Sequence, residues 1–256
     1  MDPLFRFLIE QFDKLCLHTV ISDTKLDLQP RLLAQLVCRQ EKMSFGFSIL
    51  TSRHLEQLLY YIQKRTSELR VLKIRENLLS GINGSLLSGA ACRLETLDLD
   101  KTWITFGQAD QLFGRISTCP ALKLRTLILS RNNLFRCNSH HLSEAVCRLE
   151  EVNLWNCCLT PEQVEHLVTR IKSHEKLRLI RLNISNNNLS KISPELLSEA
   201  VSRLEEIDLN FTSISTEQIK SIFNVIGSTE SKLRSVKMKH NKWLGTTIPM
   251  ERSEKS

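Results

Sequence analysis

The stretch Leu149-Glu-Glu-Val152-Asn-Leu154-Trp-Asn-Cys157-Cys-Leu159 is followed by a run of helical spacing, then by Leu179-Ile-Arg-Leu182-Asn-Ile184-Ser-Asn-Asn187-Asn-Leu189. Leu204 opens the first pattern again, so the unit is 55 residues long and holds halves of 30 and 25. Patterns of the first kind start at Gln40 (a worn copy), Leu94, Leu149 and Leu204; those of the second kind start at Leu69, Leu124, Leu179 and Leu233. A constant period of this size marks a stack of repeats. One half-repeat cannot bury its apolar side alone, so each needs a neighbour packed against it.

Within the pattern LxxLxLxxNxL the ninth position alternates. It is Asn77, Asn132, Asn187 and Asn241 in one series, and Ser48, Thr102, Cys157 and Thr212 in the other. This pattern resembles the leucine-rich repeat, and the alternation is similar to that of its ribonuclease-inhibitor-like subclass, which also supplies the repeat regions of cytosolic innate-immune receptors. The halves here are less even than is usual there. The resemblance covers roughly residues 26 to 244 and implies an α/β leucine-rich-repeat solenoid, a curved horseshoe with parallel inner strands and outer helices. It says little about function, because one fold carries many unrelated partners.

The expected organisation is an N-terminal capping helix with a degenerate first repeat over 1–25, the repeat array over 26–245, and a disordered polar tail over 246–256. Phe5, Leu8, Ile9 and Phe12 recur at helical spacing, with Asp2 as cap and Pro3 in the first turn. That helix carries Arg6 and Glu10 and lacks a cleavage pattern, so it does not read as a signal peptide. No window is apolar enough to span a membrane. The formal net charge of +7 raises nucleic acid as a partner, but no run of Lys and Arg is long enough to form a basic arm. A soluble, cytoplasmic protein is expected.

Eight cysteines raise the question of disulfides. Cys38, Cys92 and Cys147 share one repeat position with Ser202 and recur on every second strand. Strands about 4.8 Å apart place such residues ~10 Å from each other, beyond the ~7 Å a disulfide tolerates. Free, buried thiols in a reducing compartment are expected. The sequons at Asn83, Asn183, Asn188 and Asn210 then carry no weight.

Helices follow each pattern. Leu55, Leu58, Leu59 and Ile62 form an inner stripe, matched by Ala109, Leu112, Phe113 and Ile116, by Val164, Leu167, Val168 and Ile171, and by Ile219, Ile222, Phe223 and Ile226. Thr160-Pro-Glu-Gln163 and Ser215-Thr-Glu-Gln218 are capping boxes. A segment resembling an F-box, Gln29 to Val37, aligns with Ser193 to Val201 and reads as a repeat helix. His140 and His141 lack the further ligands a metal site needs. There is no GxSxG, Walker lysine loop, GxGxxG or HExxH. No enzyme, metal or cofactor is expected.

Strands are expected near Thr96 to Asp100, Thr126 to Ser130, Glu151 to Trp155, Arg181 to Ser185 and Glu206 to Asn210. Alternate strand residues then line a concave face about 35 Å long across eight strands. Its centre is acidic and amide-rich around an aromatic: Trp155 with Asp98, Asp100, Asn153, Asn183, Asp208 and Asn210, and with Trp103 and Phe211 on the rim. Trp155 either packs along the strand edges or stands as an interface anchor. The expected function is a non-enzymatic scaffold binding a protein partner, one bearing a basic patch, through this face. The rivals are a repeat-region fragment of an innate-immune-type receptor and, more weakly, a nucleic-acid binder. Partner identity and oligomeric state are not written in the sequence.

Overall fold

The computed structural model describes residues 29–46, 50–64, 66–226, 228 and 231–241. The expected capping helix, residues 1–25 as a whole and the 246–256 tail lie outside these. The chain forms two compact units, Met1–Leu124 and Arg125–Ser256. In the first, α1 (Pro30–Val37), β1 (Lys42–Ser44), α2 (Ser52–Ile62), β2 (Val71–Lys73), α3 (Gly84–Ala91), β3 (Thr96–Asp98) and α4 (Phe106–Thr118) alternate. Its strands pair in parallel and in chain order, Met43 beside Leu72 and Leu72 beside Leu97.

The second unit holds β4 (Thr126–Ile128), α5 (Ser139–Cys147), β5 (Glu151–Asn153), α6 (Pro161–Ser173), β6 (Arg181–Asn183), α7 (Pro194–Ser202), β7 (Glu206–Asp208), α8 (Thr216–Ile226) and β8 (Ser235–Lys237). Again every pairing is parallel and sequential, with Leu127, Val152, Leu182, Ile207 and Val236 in one row. The motif leucines and the helical stripes meet between strand layer and helix layer and are almost fully buried. Phe223 and Ile226, expected on the inner face of α8, are only half-buried.

Each of the five expected strands begins where the repeat pattern predicts and ends two residues sooner. The reason is local. Glu76, Lys101, Arg131, Asn156, Asn186, Phe211 and His240 all have φ between 52° and 59°. A left-handed residue at this point turns the chain out of the ladder. Backbone bonding between rungs continues through the turn, for example from Leu154 N–H to Asn183 C=O (2.7 Å) and from Asn156 N–H to Ser185 C=O (3.0 Å).

The ninth-position asparagines satisfy the backbone that this turn strands. Asn187 Nδ2 donates to the carbonyls of Leu154, Ile184 and Ser185 (2.8, 3.0 and 3.2 Å), and its Oδ1 accepts the Leu159 N–H (3.1 Å). Asn77 does the same for Phe45, Ile74, Arg75 and Leu50. Asn241 does it for Leu209, Met238, Thr212 and Ile214. The alternating small residues make a shorter reach. Thr212 Oγ1 donates to Leu209 C=O (2.7 Å) and Cys157 Sγ to Leu129 C=O (3.1 Å).

A second set of buried amides ties helix to preceding repeat. Gln163 closes the capping box, its Oε1 accepting the Thr160 N–H (2.8 Å). Its Nε2 donates to the carbonyls of Leu134 and Cys137, both at 2.8 Å. Gln108 and Gln218 repeat the arrangement on Leu79 and Ile82 and on Leu189 and Ile192. The capping half of this role is legible in the sequence; the bridging half is not.

Seven cysteines fall among the described residues. All are free, and only Cys158 is exposed. Burial pushes the Cys92 and Cys147 thiols up to about 12 and raises Cys38. Cys92 is in contact with Cys119, a neighbour outside its own column.

Two outcomes follow from this packing. Gln163→Ala strands two buried carbonyls and one N–H, so urea denaturation should show a loss of about 2–4 kcal/mol, against ~0.5 kcal/mol or less for the exposed Glu165→Ala; equal effects would mean the bridge contributes nothing. Thiol titration under denaturing, non-reducing conditions should count every cysteine as free. In the native protein one equivalent of fast labelling should be lost in Cys158→Ser, while among the described cysteines Cys92 and Cys147 label last.

Candidate functional site

The strand faces opposite the helices carry the residues picked out by the repeat pattern, and the structure sorts them. In the first unit Asp98 is fully buried. Its Oδ1 accepts the Asp100 N–H (3.1 Å) and its Oδ2 accepts from Arg75 Nε at 2.5 Å, one rung away. Asp100 is buried as well. Both carboxylates were expected to meet a cationic partner; both are buried, and for Asp98 the preceding rung supplies the cation. Trp103 is half exposed, at 50%, with φ 51° and with Lys101 Nζ 5.8 Å from its ring centre.

In the second unit the same column makes a series of local turns. Oδ1 of Asn153 accepts the Trp155 N–H (2.9 Å), that of Asn183 the Ser185 N–H (3.0 Å), and that of Asp208 the Asn210 N–H (3.0 Å). Short polar side chains do this readily because their oxygen reaches the amide two residues on. Asn210 in turn accepts the Lys239 N–H on Oδ1 (2.6 Å). The amides expected to be partner contacts are thus half committed to the fold, and the commitment holds each in one orientation.

Asn153, Asn183 and Asp208 line one shallow depression over β5 to β8, together with Glu151, Arg181 and Glu206 at the strand starts and with Lys237. The strand-start residues were missed in the sequence, although the period of two along a strand places them on the same face. Arg181 pairs with Glu151 (3.2 Å), and Lys237 stands 3.9 Å from Asp208. Beyond the strand ends, Trp155 is 38% exposed, with the Arg131 guanidinium 5.8 Å from its ring centre. Phe211 is 54% exposed and stacks on His240, with ring centres 4.2 Å apart at 9°.

This arrangement supplies hydrogen-bond donors, carboxylates and aromatic faces on a rigid ladder. Among the described residues no group of three His, Cys, Asp or Glu is placed to hold a metal ion, and no helix is long and apolar enough to cross a membrane. His140 and His141 stand exposed, with ring centres 6.3 Å apart.

Comparison with known proteins agrees with this architecture. The family model described as Leucine Rich Repeat matches residues 178–200. Ribonuclease inhibitor from Sus scrofa is 27% identical over 241 residues, covering 90% of this chain and 52% of the inhibitor. NACHT, LRR and PYD domains-containing protein 3 from Bos taurus is 29% identical over 192 residues, 72% of this chain and 18% of that protein. The chain therefore spans about half the length of the first relative and less of the second. The crystal structure of the leucine-rich repeat-containing protein LegL7 from Legionella pneumophila matches with a TM-score of 0.53 at 16% identity, over 91% of this chain and 87% of that one. That likeness concerns the fold alone. The chain has the fold of a leucine-rich-repeat protein, an α/β solenoid of parallel strands and alternating helices, and its half-repeats resemble those of the ribonuclease-inhibitor-like subclass.

Proposed function

We propose that this repeat scaffold is a non-enzymatic binding protein that engages a protein partner through the strand face of its second unit, with Trp155 as anchor. The observation that carries this reading is the state of Trp155. It is exposed beside a depression whose polar side chains are already held in place by bonds to the backbone. Such groups lose little entropy on association, and a large aromatic ringed by polar residues is the usual form of a hot spot. Glu151, Glu206 and Asp208 favour a partner presenting Arg or Lys. Trp103 and Phe211 stand as further exposed contacts in their own units, and Asn153, Asn183 and Asn210 as polar ones. A cytoplasmic setting is consistent with the buried free thiols.

A second reading, a repeat region of an innate-immune-type receptor, is favoured by the likeness to part of the bovine NACHT, LRR and PYD protein. Transcript sequence encoding a Walker lysine loop in the same open reading frame would establish it.

The test compares affinity capture with wild-type, Trp155→Ala and Glu165→Ala baits, followed by titration of the purified partner. Trp155→Ala should weaken binding by about 2 kcal/mol or more, while Glu165→Ala on α6 leaves it unchanged. If Trp155→Ala lowers the melting temperature and leaves affinity intact, Trp155 is a packing residue and the site lies elsewhere.

A further inference from the structure

The chemistry of the second unit's strand face is specific enough to say what kind of segment it fits, granting that this face is the binding surface. Trp155 follows β5 and Phe211 follows β7, so one rung separates them. At about 4.8 Å per strand, their backbones stand about 10 Å apart along the stack. A polyproline II helix rises ~3.1 Å per residue, so residues i and i+3 repeat on one side every ~9.3 Å. The along-stack spacing of the two exposed aromatics matches that repeat, with Phe211 one motif position further along its rung than Trp155.

Hydrogen bonding points the same way. The Oδ1 atoms of Asn153 and Asn183 accept backbone N–H groups. This fixes the amide orientation and leaves each Nδ2 as a donor in the depression that both line. The face offers donors, and it suits a chain rich in unsatisfied carbonyls. A partner helix has satisfied its own carbonyls and would leave these donors unused. A polyproline II segment has no internal hydrogen bonds and, at each proline, no N–H to compete. Charge adds direction. In a chain of net charge +7 the depression carries Glu151, Glu206 and Asp208 against Arg181 and Lys237. Glu206 is exposed at the start of β7.

We propose that this face takes up a proline-rich segment of a partner protein in the polyproline II conformation, with prolines on Trp155 and Phe211, carbonyls on the Asn153 and Asn183 amides, and an Arg or Lys beside Glu206.

The test uses a labelled synthetic proline-rich peptide carrying one arginine, followed by fluorescence anisotropy against the intact chain. Saturable binding is expected. Replacing the prolines by Gly and Ser should weaken it at least about tenfold, as should Trp155→Ala. Arg→Gln in the peptide, or Glu206→Gln in the protein, should weaken it to a similar and non-additive extent. Because Phe211→Ala also removes the stack on His240, Asn183→Asp serves as the second variant. It keeps an oxygen for the Ser185 N–H and turns the outward donor into a charged acceptor, so it is titrated with the Arg→Gln peptide, on which the added charge exerts no attraction; the fold survives and peptide affinity falls. Absence of saturable binding, equal affinity for the Gly-Ser peptide, or unchanged affinity in Asn183→Asp would each overturn the proposal. If the peptide fails while a captured partner still loses affinity with Trp155→Ala, the binding face stands and the polyproline assignment alone is wrong.

Discussion

Among the described residues seven rungs leave their strand through a left-handed turn, and the turn strands backbone N–H and C=O groups in the interior. A buried peptide group without a partner costs about 1–3 kcal/mol, and the repeats bury one such turn after another. The asparagine column resolves this: Asn77, Asn187 and Asn241 each bond to their own rung and to the rung before it, as Asn187 does to Ile184 and to Leu154. An amide is needed because the site requires donor and acceptor on one short side chain. Leucine columns supply most of the burial, but they would tolerate sliding. The asparagines do not, so they set the register.

Register is what gives the strand face its chemistry. Once the rungs are locked, residues at one motif position form a row, and the residue two further on lies on the same side. Asn153, Asn183 and Asp208 then share one geometry, each oxygen turned to the backbone two residues ahead. The buried glutamines hold the helix layer against the same turns from behind, with Gln163 reaching Leu134 and Cys137. Bonds to a rigid ladder fix the side chains of this face and so hold its shape and donor pattern in place.

The repeat itself was legible. The period, the strand starts, the alternation of Asn with Thr or Cys at the ninth position, the inner stripes of the helices (Phe223 and Ile226 of α8 excepted) and the capping boxes at Thr160 and Ser215 all follow from local spacing. These are contacts between equivalent positions, and periodicity alone dictates them. The candidate site was legible in part. Trp155, Asn153, Asn183 and Asp208 fall where the pattern puts them, and Glu151 and Glu206 follow from the same alternation carried two residues back.

What the tertiary structure alone decided are the contacts between non-equivalent side chains on neighbouring rungs. Asp98 is spent on Arg75, and this takes its carboxylate off the first unit's surface, where Asp100 is buried as well. Cys92 meets Cys119 rather than a member of its own column. Gln108, Gln163 and Gln218 each reach 26 to 29 residues back to a loop. Each of these depends on the length and rotamer of two particular side chains across a gap of one strand spacing. A repeat determines where such residues stand, but it leaves their pairing to the packed geometry.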